Sequence, residues 1–217
     1  MIINLNLEGK KIIIIGGGNE AEKRIKSILN EKCEILIISD SINEQISKWV
    51  KIKKIKLKKQ KIEKLNFISE LKPDIIITTT NDKKINQKII TYAKNRKIIV
   101  YSSDNPDDSD FSNAAIIDFE KTIQIAIFTG GRSPAMSKKI KSKSEKALKK
   151  VILKEDIAQI KIQKISRTLA KEIIPTQFER KQCLNNIMND NQIDQLIKDG
   201  QVKKAEKRAR EIIKKWK

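Results

Sequence analysis

Lys11-Ile-Ile-Ile-Ile-Gly-Gly-Gly-Asn-Glu-Ala21 passes from an apolar run, through three glycines, into an amphipathic stretch. The isoleucines read as a strand buried on both faces, because a half-exposed strand would alternate apolar with polar residues. From Ala21 to Asn30, the residues Ala21, Ile25, Ile28 and Leu29 fall on one helical face. The turn between them fits G-x-G-x-x-A: Gly16 permits the tight turn, Gly18 lets backbone approach a pyrophosphate, and Ala21 permits close helix–strand packing. A helix N-terminus there offers N–H groups and partial positive charge to phosphate. The competing reading is a glycine-rich strand–helix turn with no ligand.

Working outward, Glu34–Ile38 reads as a second buried strand, and Ile55 and Leu57, alternating with lysines, as an edge strand guarded by charge. Pro73–Ile77 and Lys97–Val100 read as two more strands, with helices predicted over 43–50, 61–71 and 82–95. Strand–helix alternation with runs of Ile predicts an α/β fold with a parallel, doubly wound sheet. After about residue 110 the pattern changes. Ala114–Asp118 and Thr122–Thr129 read as two strands joined by a short turn, followed by helix over 135–172 with some break, then 175–189, 191–199 and 201–216. Pro175 suits a helix start and Gly200 a helix stop.

Composition removes several chemistries. The chain has 217 residues and no His, so a Ser-His-Asp triad, a Cys-His pair, His-bound zinc and an imidazole base are all excluded. Two cysteines, Cys33 and Cys183, make neither a disulfide framework nor a CxxC pair, and a reducing cytoplasm is the expected compartment. No apolar run has the length to span a bilayer, and the first residues lack a signal-peptide layout. A net charge of +20 asks for an anionic partner, although many lysines can be solvated surface. Few aromatics accompany the basic segments Lys48–Lys64 and Lys203–Lys217, only Trp49, Phe67 and Trp216, which disfavours nucleic acid as the partner.

Four further motifs carry chemistry. Asp40 and Ser41 end the second strand about 20 residues past the glycines, where an acidic residue accepts ribose hydroxyls and favours NAD; helix capping by either is equally open. Thr79 and Thr80 follow a central strand on the ligand side of the sheet and are placed to touch a nicotinamide ribose, with Asn81 and Asp82 read as helix caps. Tyr101-Ser-Ser-Asp104-Asn-Pro-Asp-Asp-Ser-Asp110 is an acidic spot in a basic protein, suited to accepting a proton or to an Asx-rich turn. Thr129-Gly130-Gly131-Arg132-Ser133-Pro134 can bind carboxylates through N–H donors and a guanidinium fork, or form a capped turn.

Taken in order, GGGNEAEKR, TTTND, SSDNPDDSDF and AIFTGGRSP resemble the precorrin-2 dehydrogenase / sirohydrochlorin ferrochelatase family, most closely over residues 1–145. The resemblance implies an NAD-binding Rossmann domain (1–112), a dimerisation section with the glycine-rich loop (113–150) and a helical C-terminal domain (151–217), assembled as a homodimer. It implies NAD-dependent oxidation of precorrin-2 to sirohydrochlorin in the cytoplasm, followed in some members by Fe²⁺ insertion. The family's dinucleotide contacts fall on Asn19, Glu20, Asp40 and Ser41, which join Gly16, Gly17, Gly18, Thr79 and Thr80 from the motifs above. The key carboxylate falls on Asp104, which is also the candidate metal contact should the chelatase step occur. Tetrapyrrole contacts fall on Thr129, Gly130, Gly131, Arg132 and Ser133, with Lys138 and Lys139 nearby. The chain departs from the family pattern at Glu20, usually Val, at Tyr101-Ser-Ser before Asp104, at Ala114 and at Phe128. A non-catalytic dinucleotide-sensing module is the alternative reading of the first hundred residues.

Overall fold

The computed structural model describes every residue except Met1, Lys64 and Lys217. The chain divides into two compact units, Met1–Asn113 and Ala114–Lys217. Strands of the first unit are β1 (Lys11–Ile15), β2 (Glu34–Ser39), β3 (Lys56–Lys59), β4 (Ile75–Thr78) and β5 (Ile99–Ser102). Between them run α1 (Asn19–Ile28), α2 (Glu44–Lys51), α3 (Asn66–Leu71) and α4 (Lys83–Asn95). The sheet is parallel in the order β3-β2-β1-β4-β5, so the chain reverses direction across the sheet between β1 and β4.

The Ile runs explain this architecture. In β1 each successive side chain turns to the opposite face, and both faces are buried. Ile12 and Ile14 join Ile35, Ile37, Ile75 and Ile77 beneath α1 and α2, against Ala21, Ile25, Ile46 and Trp49. Ile13 and Ile15 join Leu36, Ile38, Ile76 and Val100 beneath α3 and α4, against Phe67, Ile68, Ile89, Ile90 and Ala93. Each fully buried Ile contributes roughly 1.5–3 kcal/mol of transfer free energy. Trp49 and Phe67 are spent in these cores and offer no stacking surface. The outer strand β3 is polar and lysine-rich, as an exposed sheet edge requires.

The predicted helix over 61–71 is a shorter one, beginning only at Asn66. Gln60, Lys61 and Ile62 instead leave β3 along the carboxyl end of the sheet, with the Gln60 N–H bonded to Ser39 O at 3.1 Å. Helices α2 to α4 are each followed or capped by a lysine with left-handed backbone (Lys53, Lys72 and Lys97), in positions where glycine is usual, and Lys32 has the same backbone in the turn before β2.

The second unit begins with an antiparallel hairpin, β6 (Ala115–Phe119) and β7 (Ile123–Ile127), followed by α5 (Pro134–Leu148). The bundle α6 (Lys154–Ile173), α7 (Gln177–Met188), α8 (Asn191–Lys198) and α9 (Val202–Lys214) encloses Ile162, Ala170, Cys183, Ile187, Ile193, Ile197, Ala205, Ala209 and Ile213. The predicted helix over 135–172 is two helices, broken around an exposed Val151. Pro175 precedes the helix rather than opening it; Thr176 is the N-cap of α7, its hydroxyl accepting from the Glu179 N–H. Helix α5 buries none of its side chains, and Ile116, Phe128, Met136 and Ile140 on the hairpin and α5 are exposed. Among the described residues, no helix is long and apolar enough to cross a membrane.

Candidate functional site

At the carboxyl ends of β1, β2 and β4 lies a cleft of about 640 Å³, at the point where the strand order reverses. Open parallel sheets bind ligands at such a point, because adjacent connections leave toward opposite faces and part there. Gly16, Gly17, Gly18, Asn19, Glu20, Asp40, Ser41, Thr79 and Thr80 all line this one cleft. Ile38, Gln60, Lys61, Ile62 and Ile85 line it too and were not foreseen; only the fold brings the β3 exit and α4 to this edge.

The three glycines do different work. Gly16 has φ +111°, and a Cβ there would stand 2.7 Å from Thr79 Oγ1 and 3.0 Å from its carbonyl carbon. Gly17 is the tightest of the three: a Cβ would come within 2.0 Å of Ser41 O and 2.9 Å of Ile42 Cγ2. Its own carbonyl accepts from the Asn43 N–H at 2.9 Å, so Gly17 clamps the β1 turn to the β2 exit that carries Asp40 and Ser41. At Gly18 a Cβ would meet nothing within 4 Å. Gly18 is the N-cap of α1 and supplies no side chain to the first turn. The open space above it and the uncapped N–H groups fit a dinucleotide pyrophosphate. Ala21 is fully buried, as close packing of α1 on the sheet requires.

Neither Asp40 nor Ser41 caps the next helix. Asn43 does, its Oδ1 accepting from the Ile46 N–H at 2.9 Å. Asp40 is exposed, lines the cleft and accepts a 3.2 Å bond from Ser41 Oγ. Thr79 is buried and donates to Ile15 O at 3.0 Å. Asp82 caps α4, accepting from the Lys84 and Ile85 N–H groups at 2.9 and 3.0 Å.

A hydrogen-bond chain leads from the cleft wall to Asp104. Thr80 Oγ1 donates to Asn86 Oδ1 at 2.7 Å, and Asn86 Nδ2 donates both to Thr80 O at 2.9 Å and to Asp104 Oδ1 at 3.0 Å. Ser102 Oγ donates to the same Asp104 oxygen at 2.6 Å. Since a carboxylate only accepts, Thr78 Oγ1 must be the donor in its 2.8 Å bond to Ser102 Oγ. Thr78, Asn86 and Ser102 are all buried, whereas Asp104 is exposed. One carboxylate oxygen is therefore anchored by two donors, and Oδ2 is left for other chemistry. Asn86 was missed in the sequence, its only signal a lone Asn inside an amphipathic helix, and Ser102 was read as part of the acidic motif without a role of its own.

The rest of the acidic loop is built as a turn. Asp110 Oδ2 accepts from the Val100 N–H at 2.8 Å, covering the free edge of β5, and Asp108 accepts from Asn105, Gln87 and Lys94. The Gln87 and Asn105 amides and the Lys94 ammonium hold the Asp108 carboxyl below the usual range. Among the described residues, no group of three or more Asp, Glu or Cys side chains is placed to hold a metal ion.

In the second unit, Thr129–Ser133 form a tight turn, with the Arg132 N–H bonded to Thr129 O at 3.2 Å and left-handed Gly130 and Gly131. Ser133 Oγ caps α5 by accepting from the Met136 N–H, and Thr129 Oγ1 lies 2.9 Å from Ser137 Oγ. The cap is filled from within, so the exposed features of the loop are Gly130, Gly131 and Arg132.

Comparison with known proteins agrees with this geometry. The family described as "Putative NAD(P)-binding" matches residues 3–115. A "Putative precorrin-2 dehydrogenase" of Methanocaldococcus jannaschii is 31% identical over 202 residues, covering 90% of this chain and 93% of the relative. The precorrin-2 dehydrogenase of Priestia megaterium is 26% identical, covering 64% of this chain and 66% of its own length. A siroheme synthase of Psychromonas ingrahamii is 25% identical over 92% of this chain, which spans only 40% of that longer protein. The solved structure of SirC, a precorrin-2 dehydrogenase, superposes with a TM-score of 0.72 at 20% identity over 97% of this chain and 99% of its own, and shares the fold. Strand order, glycine turn and near full-length similarity to the archaeal relative converge: the chain belongs to the NAD(P)-binding precorrin-2 dehydrogenase family.

Proposed function

We propose that this chain oxidises precorrin-2 to sirohydrochlorin with NAD⁺, in the cytoplasm. The observation that carries this reading is the chain of buried donors from the cleft wall through Asn86 to Asp104. A module that only sensed dinucleotide would have no use for a carboxylate fixed on one oxygen and free on the other. NAD⁺ supplies the hydride acceptor. The α1 N-terminus and Gly18 would hold its pyrophosphate, and Asp40 its adenosine ribose. Thr79 and Thr80 wall the nicotinamide end. Removing two electrons and two hydrogens from precorrin-2 sends a hydride to the dinucleotide and leaves one proton. Asp104 Oδ2 would take that proton while Asn86 and Ser102 fix the carboxylate through Oδ1. In the second unit, Arg132 and the N–H groups of Gly130 and Gly131 supply donors for the carboxylates of the tetrapyrrole.

The exposed apolar residues Ile116, Phe128, Met136 and Ile140, on a hairpin and a helix that bury little, support assembly as a homodimer through residues 113–150. Incubating the full chain anaerobically with precorrin-2 and NAD⁺ tests the reaction. NADH formation matched one-to-one by the sirohydrochlorin spectrum is expected. NAD⁺ binding without turnover would overturn the dehydrogenase reading in favour of a sensing module. Adding Fe²⁺ afterwards measures whether the same chain also inserts the metal. Light scattering of the purified chain tests the dimer.

A further inference from the structure

The first turn of α1 is acidic, with Glu20 and Glu22, although it faces the space assigned above to phosphates. An uncompensated carboxylate beside a pyrophosphate would repel it and cancel much of the attraction of the helix end. Both side chains are tied down. Asn43 Nδ2 donates to Glu22 Oε2 at 2.6 Å. Glu20, which lines the cleft, accepts from Arg24 one turn on and from Lys23 Nζ at 3.1 Å.

Arg24 is held with unusual firmness for a surface helix residue. Its side chain is 21% exposed, against 72% for Lys23. Its guanidinium carbon lies 4.7 Å from the centroid of the buried Tyr101 ring, which packs in turn on Phe111. Its Nε is buried and has no hydrogen-bond partner. A guanidinium that gives up one donor to stay in place is fixed by its ring and its carboxylate. Burial alone would raise the Glu20 carboxyl, but Lys23 and Arg24 together hold it below the usual range, so the site contains a neutralised pair rather than a protonated acid.

We infer that Arg24 is a positioning residue of the dinucleotide site: stacked on Tyr101, it draws the Glu20 carboxylate back along α1 and cancels its charge, so that an anionic pyrophosphate can occupy the first turn. The inference rests on the dinucleotide reading of the cleft. The geometry makes Tyr101 and Glu20 the two ends of one arrangement centred on Arg24.

Calorimetric titration of the full chain with NAD⁺ at low and high salt tests it, using Arg24→Gln, Glu20→Gln and the double variant. Arg24→Gln is expected to weaken binding about tenfold at low salt and markedly less at high salt, since the repulsion it exposes is screened. Glu20→Gln is expected to bind at least as tightly as the parent, and the double variant to recover to within about twofold of Glu20→Gln. Unchanged affinity in Arg24→Gln would overturn the inference. So would a loss that Glu20→Gln does not repair, because that marks a packing role against Tyr101. A parent chain that binds no NAD⁺ would instead overturn the dinucleotide reading itself.

Discussion

Alanine at Gly17 and at Gly18 should have separable consequences for stability and binding, although the two glycines are adjacent. At Gly17 the new Cβ would stand 2.0 Å from Ser41 O and 3.0 Å from Ile42 Cα, both backbone atoms that no side-chain rotation can move away. The β2 exit must shift, stretching the Asn43 N–H bond to Gly17 O. Overpacking of this kind costs roughly 1–3 kcal/mol, and it displaces Asp40 and Ser41, so stability and NAD⁺ affinity fall together. At Gly18 the backbone (φ −86°, ψ −165°) suits any residue, and the methyl meets nothing within 4 Å. Alanine is a poorer N-cap than glycine but also narrows the unfolded ensemble, so the net change is expected within about 0.5 kcal/mol. Yet the methyl occupies the approach of the phosphate oxygens. Losing one or two charge-assisted N–H contacts, worth roughly 1.5–3 kcal/mol, weakens NAD⁺ about 10- to 150-fold. Thermal melting without ligand and calorimetric titration with NAD⁺ separate the two effects. A Gly18→Ala chain that binds like the parent would refute the seating of phosphate on α1, and a stable, tightly binding Gly17→Ala chain would refute the clamp.

Asp104→Asn should lower precorrin-2 turnover by roughly 100-fold or more, the usual size of a lost proton acceptor, while leaving melting and NAD⁺ affinity nearly unchanged because the amide oxygen still accepts from Asn86 and Ser102. Asn86→Leu removes a buried amide with three hydrogen bonds to Thr80 and Asp104 and should cost roughly 1–3 kcal/mol in stability as well as turnover, read by denaturation and assay of one preparation. Lys121→Gly, at φ +55° in the β6–β7 turn beside Glu120 at φ +50°, should raise the stability of the second unit by up to about 1 kcal/mol, measured by melting. In the bundle, the Arg208 guanidinium beside Asp190 holds its carboxyl below the usual range, outweighing burial. A folded value below the unfolded one, near 4, stabilises above that pH and is lost as pH falls through the folded value. Arg208→Met should therefore flatten the acid-side decline of bundle stability, followed by Trp216 fluorescence in a Trp49→Phe background; an unchanged profile would refute the coupling.

The first unit was legible because its strands are buried on both faces, so that Ile runs, broken by glycine or by lysine-rich helix ends, mark sheet positions without ambiguity. The order β3-β2-β1-β4-β5 then brings the glycine turn, Asp40 and Thr80 to one edge with no further information needed. What the sequence concealed is of two kinds. Among the elements it was the start of α3, at Asn66 rather than 61, that was misread, whereas α2, α3 and α4 end within one residue of the predicted 50, 71 and 95 although each exits through a left-handed lysine where a reader looks for glycine. Site residues were concealed where their role depends on the far side of the fold. Gly17 looks like a spacer in G-x-G-x-x-A, yet its closest neighbour is Ser41, on the exit of another strand. Asn86 looks like a tolerated polar residue in α4 until β5 places Asp104 3.0 Å away. Arg24 looks like one more charge on a basic surface until Tyr101 comes to lie beneath it. In each case the partner lies 18 to 77 positions away along the chain. Motif spacing registers which side chains leave a turn together; it carries no record of which strand will arrive beside them, and the groups that tune this cleft are those set by arrival.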